Sequence, residues 1–177
     1  MEMASQFLNA AKGPEGRWRV MPQPADLWLM SFLPDIERFL VEGLRRLTQE
    51  RGPGLWLSQQ FALRFGQEGI EALVAFQSLI SLLVRNGRHR FMVGEFALPY
   101  LTRDERQMLS LLAAVQREDE SCVGAHLSWL APRSVHVRIE SAALHVGNVL
   151  SRHGQQLQLP RSELVCLPGN DPCIMRI

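Results

Sequence analysis

The chain has 177 residues, of which 46% are hydrophobic, and a formal net charge of +1. A chain of this length is most simply one globular domain over residues 1–177, and it can bury roughly 70% of its unfolded surface without disulfides or a metal. So small a net charge gives no overall attraction to nucleic acid or to an anionic membrane, and we expect neither as a partner.

The first 33 residues lead into a well-marked helix. Residues 1–23 are treated as an N-terminal arm, in which Trp18–Met21 is either a short strand or a segment lying on the core. Pro34 and Asp35 then suit the first turn of a helix, and Gly52–Gly54 ends it. Apolar side chains mark one face of this helix at helical spacing. The opposite, polar face carries Glu42, Arg45, Arg46 and Gln49.

Residues 69–86 form the element around which the rest of the chain is expected to pack. No charged residue occurs from Ala72 to Val84, and apolar side chains cover nearly the whole helical wheel. Such a helix has to be covered on several sides, yet it is too short and too interrupted to span a bilayer, which needs about 20 apolar residues. The preceding segment, Leu55–Phe65, is ambiguous between a half-buried strand and a short helix.

The next part of the chain predicts a turn, a strand and two helices. Asn86–Gly87 can adopt the left-handed conformation that ends a helix, and Arg88–Val93 predicts a short strand. Thr102 and Glu105 have the spacing of a capping box, in which each side chain accepts a hydrogen bond from the other's backbone amide. That box opens an αα-hairpin whose second helix ends at Pro132.

A last helix is predicted between Ser134, as its N-cap, and Gly154, as the glycine after its final turn. Apolar residues repeat at helical spacing between them, which favours a helix over a strand. Short strands are predicted at Leu157–Leu159 and at Leu164–Leu167.

The predicted fold is therefore mainly α. It is a five-helix, bundle-like single domain around the buried central helix 69–86, with a few short strands that can form one small edge sheet. The arm, residues 1–23, and a C-terminal tail, residues 161–177, flank it. No internal repeat and no linker between two domains is visible.

The best candidate for a binding site is the turn that contains Arg85, Arg88, His89 and Arg90. These four side chains crowd the end of the central helix, where they could hold a phosphate or a carboxylate. The opposing interpretation is structural, because cations at a helix C-terminus complement its dipole and last carbonyls. Lys12 is the single lysine beside eighteen arginines. This bias is typical of a GC-rich bacterial genome, or else it indicates selection for bidentate anion recognition.

Several kinds of chemistry are not indicated. The αα-hairpin cannot act as a helix-turn-helix, because its second helix has no Arg or Lys and begins with acids. The histidines are too scattered for a metal motif, and no phosphate-binding glycine loop or nucleophile elbow occurs. We therefore expect no metal, no cofactor and no catalytic residue that sequence alone can identify.

Three cysteines, Cys122, Cys166 and Cys173, do not make a disulfide framework in a chain of this length. Cys166 and Cys173 flank a loop that could be closed by a disulfide, whereas a reducing compartment favours free thiols. Without an apolar run of signal-peptide length, we expect a cytoplasmic protein.

An interaction surface is predicted on the last helix. One side of that helix carries Val135, Ile139, Ala142, Val146 and Val149. These residues form either the final layer of the bundle or a two-fold interface between copies. Trp18 and Trp28, in the weakly patterned N-terminal region, are further candidates for an exposed contact surface.

These observations favour a non-enzymatic helical interaction or regulatory module that self-associates or binds a protein partner. Two alternatives stay open. One is a module that binds a small ligand or anion at the Arg85–Arg90 turn, and the other is an enzyme whose site is assembled from distant residues.

Overall fold

Six α-helices lie within residues 28–49 and 54–158, which are the parts of the chain that the computed structural model describes. They are α1 (Asp35–Gln49), α2 (Leu55–Phe65), α3 (Glu68–Asn86), α4 (Arg103–Gln116), α5 (Glu120–Leu130) and α6 (His136–Arg152). Short 3-10 helices precede α1 at Met30–Phe32 and α6 at Arg133–Val135. The prediction of a mainly α fold is confirmed. There are six helices and not five because the ambiguous segment Leu55–Phe65 is helical.

Helix α3, the predicted central helix, has α6 as its main neighbour. It runs antiparallel to α6, because Glu68 in its first turn pairs with Arg152 and His153 at the end of α6. The α3–α6 contact is the largest between any two described helices, and α3 also packs against α2. At the corner between α2 and α3, the backbone of Gly69 lies directly against the backbone of Phe61, and a Cβ on Gly69 would collide with the carbonyl of Phe61.

A cluster of aromatic rings fills the space between α1, α2 and α3. Its members are Phe39, Phe61, Phe65 and Phe76, with ring centroids 5.0 to 6.4 Å apart. Tilted ring pairs at such distances add to the stabilisation from apolar burial. The cluster explains why α2, although short, is firmly attached to the core.

Helix ends are partly as predicted. Thr102 and Glu105 form the capping box at the start of α4, and Gly154 has a φ of 68°, as expected for the residue after α6. Ser134, however, does not cap α6, because a 3-10 turn precedes the helix and no side chain caps it. Gly87 has a φ of −59° and not a left-handed one. Glycine is required there for space, since a Cβ would lie 2.8 Å from the carbonyl oxygen of Leu83.

No β-strand occurs in the two described ranges. The one feature of this kind there is an isolated antiparallel bridge between Leu29 and Tyr100. The predicted strand Arg88–Val93 is part of an irregular loop, and residues 157–158 of the predicted strand Leu157–Leu159 are irregular as well. In both places side chains, and not a neighbouring strand, accept hydrogen bonds from the backbone.

Two carboxylates in the first turn of α4 hold the loop that joins α3 to α4. Glu105 accepts hydrogen bonds from the amides of Gly94 and Thr102, and Asp104 accepts one from the amide of Met92. A loop whose amides are satisfied in this way needs no strand partner. This is why the predicted edge sheet does not form.

The prediction that Arg45 lies on the exposed, polar face of α1 is wrong, because the residue is only 1% exposed. Its guanidinium donates to both carboxylate oxygens of Glu105 and to the carbonyls of Leu98 and Tyr100. A buried charge persists where it is paired and hydrogen-bonded in this way. Arg45 thus connects α1, α4 and the intervening loop.

The remaining predictions fall on parts of the chain that are not described. These are the arm (1–23), the tail (161–177), and the segments Trp18–Met21 and Leu164–Leu167. Trp18, Cys166 and Cys173 also lie outside the described residues.

Candidate functional site

The predicted basic turn lies at the C-terminal end of α3. Arg85 is in the last turn of the helix, Arg88, His89 and Arg90 follow in the loop, and all four are exposed. Arg88 is partly committed to the fold, since its amide donates to the carbonyl of Leu130 and its Nε donates to the carbonyl of Ala131, both at 3.1 Å. Arg85 and Arg90 make no hydrogen bond or ion pair within the described residues.

Three residues that the sequence analysis missed join this turn. The His89 ring meets Trp129 edge-on, with centroids 4.6 Å apart, and the Arg103 guanidinium lies 4.8 Å from the centre of the same indole. Arg133 follows Ala131, the acceptor of Arg88, by two positions and is exposed. We call the set Arg85, Arg88, His89, Arg90, Arg103, Trp129 and Arg133 the arginine surface. It joins the end of α3, the loop, the start of α4 and the end of α5.

One acid in contact with the arginine surface is Asp104, whose Oδ1 lies 3.0 Å from the Nε2 of His89. Asp104 is only 2% exposed, and its other oxygen accepts a hydrogen bond from the amide of Met92. Its charge is therefore turned inward. The exposed guanidiniums of Arg85, Arg90 and Arg133 have no carboxylate partner within the described residues.

The structure places the predicted α6 interface inside the chain's own core. Its five residues, Val135, Ile139, Ala142, Val146 and Val149, are each at most 9% exposed. They pack within the chain; Ala142 is the one of the five that also lines the groove described below, and the other four are not available to a second copy in this fold. The helical repeat identified the inner face of α6, which is the final layer of the bundle.

Trp28 is half-buried and packs against the core, with the Arg106 guanidinium 5.9 Å from its ring. A cavity of about 240 Å³ lies near it, lined in part by Met30, Arg38 and Arg45. Because the Arg45 guanidinium is already bonded to Glu105 and to two backbone carbonyls, this cavity belongs to the structural network.

An apolar groove runs along the outer side of the α3–α6 pair and has a volume of about 750 Å³. From α3 it is lined by Ile70, Glu71, Val74, Ala75, Ser78 and Leu82. From α6 it is lined by Val137, Arg138, Ser141, Ala142 and His145. The apolar groups on its rims are strongly exposed, at 66% for Ile70, 55% for Val74 and 78% for Val137. The central helix is therefore less completely covered than its sequence predicted.

The middle of this groove is built from small residues. Ser78 donates its hydroxyl to the carbonyl of Val74, so its polar group is satisfied within α3. Ala75, Ser141 and Ala142 complete the narrow part. Small side chains allow another surface to approach closely.

Two further titratable groups, His126 and Glu37, are buried. Burial lowers the pKa of His126 to about 4, with a further contribution from Arg117, and its Nδ1 is 2.8 Å from the Oε1 of Gln107. Burial raises the pKa of Glu37 above its usual value, although the carboxylate accepts a hydrogen bond from the amide of Gln158. Neither residue lines the groove and both are buried, so we assign them to the core.

Within the described residues, no group of three or more His, Cys, Asp or Glu is placed to hold a metal ion. Cys122 is half-buried, packs against the core and forms no disulfide within the described residues. None of the described helices is long and apolar enough to cross a membrane. Comparisons with protein families, curated proteins and solved structures find no match to this chain.

Proposed function

We propose that this chain is a non-enzymatic interaction module that self-associates through the α3–α6 groove. The observation that carries the proposal is a groove with protruding apolar rims, a floor of small residues and unpaired charges of opposite sign at its two ends. The bacterial origin and cytoplasmic location expected from the sequence belong to the same proposal. The arginine bias of the sequence is compatible with them.

The exposed apolar rims give the driving force. Ile70, Val74 and Val137 are each more than half exposed and lie around one groove. Contiguous apolar surface of this kind is typical of contact sites, because its burial removes area from water at roughly 25 cal/mol per Å². A second copy can cover these side chains by placing its own rims over the small residues of the floor.

The two ends of the groove carry opposite charges. Glu71 lies at the end formed by the start of α3, and Arg138 lies at the other end, beside Leu82. Glu71 and Leu82 are separated by about 16 Å along α3, given the rise of an α-helix. Neither Glu71 nor Arg138 has an ion-pair partner within the described residues.

This arrangement is complementary to itself. A two-fold axis that crosses the middle of the groove at right angles places the Glu71 end of one copy against the Arg138 end of the other. The same operation repeats the contact at the second end, as an isologous dimer requires. The apolar residues Ile70 and Val74 of each copy then lie at the same end of the interface as Val137 of the other.

Light scattering and sedimentation of the full chain test the proposal. The wild type should be dimeric at micromolar concentration, and Val137→Glu should be a folded monomer. Val84→Glu is the matched control, because Val84 is an exposed apolar residue of α3 that does not line the groove. A wild type that stays monomeric at all concentrations would contradict the proposal.

Charge exchange tests the geometry itself. Glu71→Arg or Arg138→Glu alone places like charges together, and each should weaken the dimer by about tenfold or more. The double variant Glu71→Arg/Arg138→Glu restores opposite charges at both ends and should recover the affinity. If the double variant is as weak as the two single variants, the copies do not meet in this orientation.

A further inference from the structure

The arginine surface carries three guanidiniums, those of Arg85, Arg90 and Arg133, that have no carboxylate partner within the described residues. It carries five arginines and one histidine, and the chain as a whole has a formal net charge of only +1. Two acids in the first turn of α4, which Arg103 begins, face inward, since Asp104 is held by Met92 and His89, and Glu105 is held by Arg45. Exposed cations with no counter-charge attract an anionic partner.

The fold presents these guanidiniums on separate elements and not in one pocket. Arg85 ends α3, Arg90 lies in the loop and Arg133 follows α5. None of the three lines the groove or the 240 Å³ cavity. Cations spread in this way match a ligand with several separate anionic groups better than a single phosphate.

The aromatic group of the surface argues against single-stranded nucleic acid. Proteins that bind single strands offer aromatic faces on which bases stack. Here one face of Trp129 is covered by the Arg103 guanidinium, and the His89 ring meets the indole edge-on. The indole thus contacts the Arg103 and His89 side chains, and the face that Arg103 covers is not free for stacking.

We infer that the arginine surface binds an acidic polypeptide segment, whose carboxylates pair with Arg85, Arg90 and Arg133. Guanidiniums suit this role because their planar donors bind carboxylates bidentately. His89 and Arg103 both contact the Trp129 ring and are positioned by it. Arg88 holds the loop against the end of α5. The site is separate from the α3–α6 groove, so a monomeric variant such as Val137→Glu should still bind.

Fluorescence anisotropy with a labelled polyglutamate peptide tests the inference on the full chain. Binding should occur at low ionic strength and weaken as salt is added, because charge pairs at a surface are screened. Arg85→Ala/Arg90→Ala should lower the affinity by about tenfold or more, since two exposed charge contacts are lost.

The control is Arg117→Ala/Arg152→Ala, which removes the same charge from exposed positions elsewhere. It should change the affinity by less than about twofold. Equal losses in both double variants would mean that only the net charge matters and would overturn the inference. Absence of peptide binding, or tighter binding of a single-stranded oligonucleotide of equal charge, would overturn it as well.

Discussion

Arg45 and Glu105 are joined by two hydrogen bonds, 2.8 Å from Nε to Oε1 and 3.0 Å from Nη2 to Oε2. Both side chains are at most 1% exposed, although sixty positions separate them in the sequence. Each also bonds backbone groups of the loop between α3 and α4. The pair therefore organises a segment that has no regular secondary structure.

Breaking this pair should be far more damaging than breaking an exposed one. Arg45→Met leaves the Glu105 carboxylate buried without its cation, and we expect a loss of about 3–5 kcal/mol in the free energy of unfolding. The comparison is Asp35→Asn, which breaks the exposed pair with Arg64 and should cost at most about 1 kcal/mol. Urea denaturation of both variants measures the difference. Similar losses in the two would show that the buried pair contributes little.

Thr102 is predicted to stabilise the start of α4 through two hydrogen bonds of its hydroxyl group. Its hydroxyl accepts from the amide of Glu105 at 3.2 Å and donates to the carbonyl of Met92 at 2.7 Å. Thr102→Ala should cost about 1–2 kcal/mol, because the cap is lost together with a contact to the loop. Thr102→Ser retains the hydroxyl and should preserve most of the stability. If Thr102→Ala lowers the free energy of unfolding by less than a few tenths of a kcal/mol, this role is contradicted.

His126 should make the fold sensitive to acid. Its pKa is lowered by burial from 6.5 to about 4, so the unfolded chain binds a proton more readily than the folded one between these values. Stability should therefore fall as the pH drops through this window, by roughly 3 kcal/mol in total. His126→Gln removes the titration, and its stability should show a weaker pH dependence there. Parallel curves for variant and wild type would exclude His126 as the cause.

Glu37 should make the fold less stable as the pH rises, which is opposite to the effect of His126. Burial raises its pKa above 4.5, so the folded state loses stability as the pH rises from that value through the folded pKa. Glu37→Gln keeps an acceptor for the Gln158 amide without the buried charge. We expect a higher melting temperature than the wild type near neutral pH, with a difference that shrinks as the pH approaches 4.5. A variant that is less stable at neutral pH would mean that the amide bond and the helix dipole favour the charged form more than burial disfavours it.

The helices could be predicted from the sequence because their signals are local. The capping box at Thr102 and the glycine at position 154 mark helix ends within a few residues, and the structure contains both. Arg45 could not be placed in the same way. On a helical wheel it belongs with Glu42 and Gln49, and only its distant partner Glu105 makes its burial possible.

The surfaces were harder to predict than the helices. Helical periodicity detects the buried stripe, so the α6 pattern through Ile139 and Val146 identified core residues. The exposed apolar groups Ile70 and Val137 lie off that stripe and become one groove only when α3 and α6 pack together. Similarly, the basic turn at residues 85–90 could be identified from the sequence. The contact between His89 of this turn and Trp129 could not, because it depends on the position of α5.

The loop between α3 and α4 should also have an unusual signature in hydrogen exchange. The amides of Met92, Gly94 and Thr102 belong to no helix, yet each donates to a carboxylate in the first turn of α4. Such amides exchange when their acceptors move away, so their protection should follow the opening of that turn and not the mobility of a free loop. In exchange experiments the loop and the start of α4 would then behave as one cooperative unit.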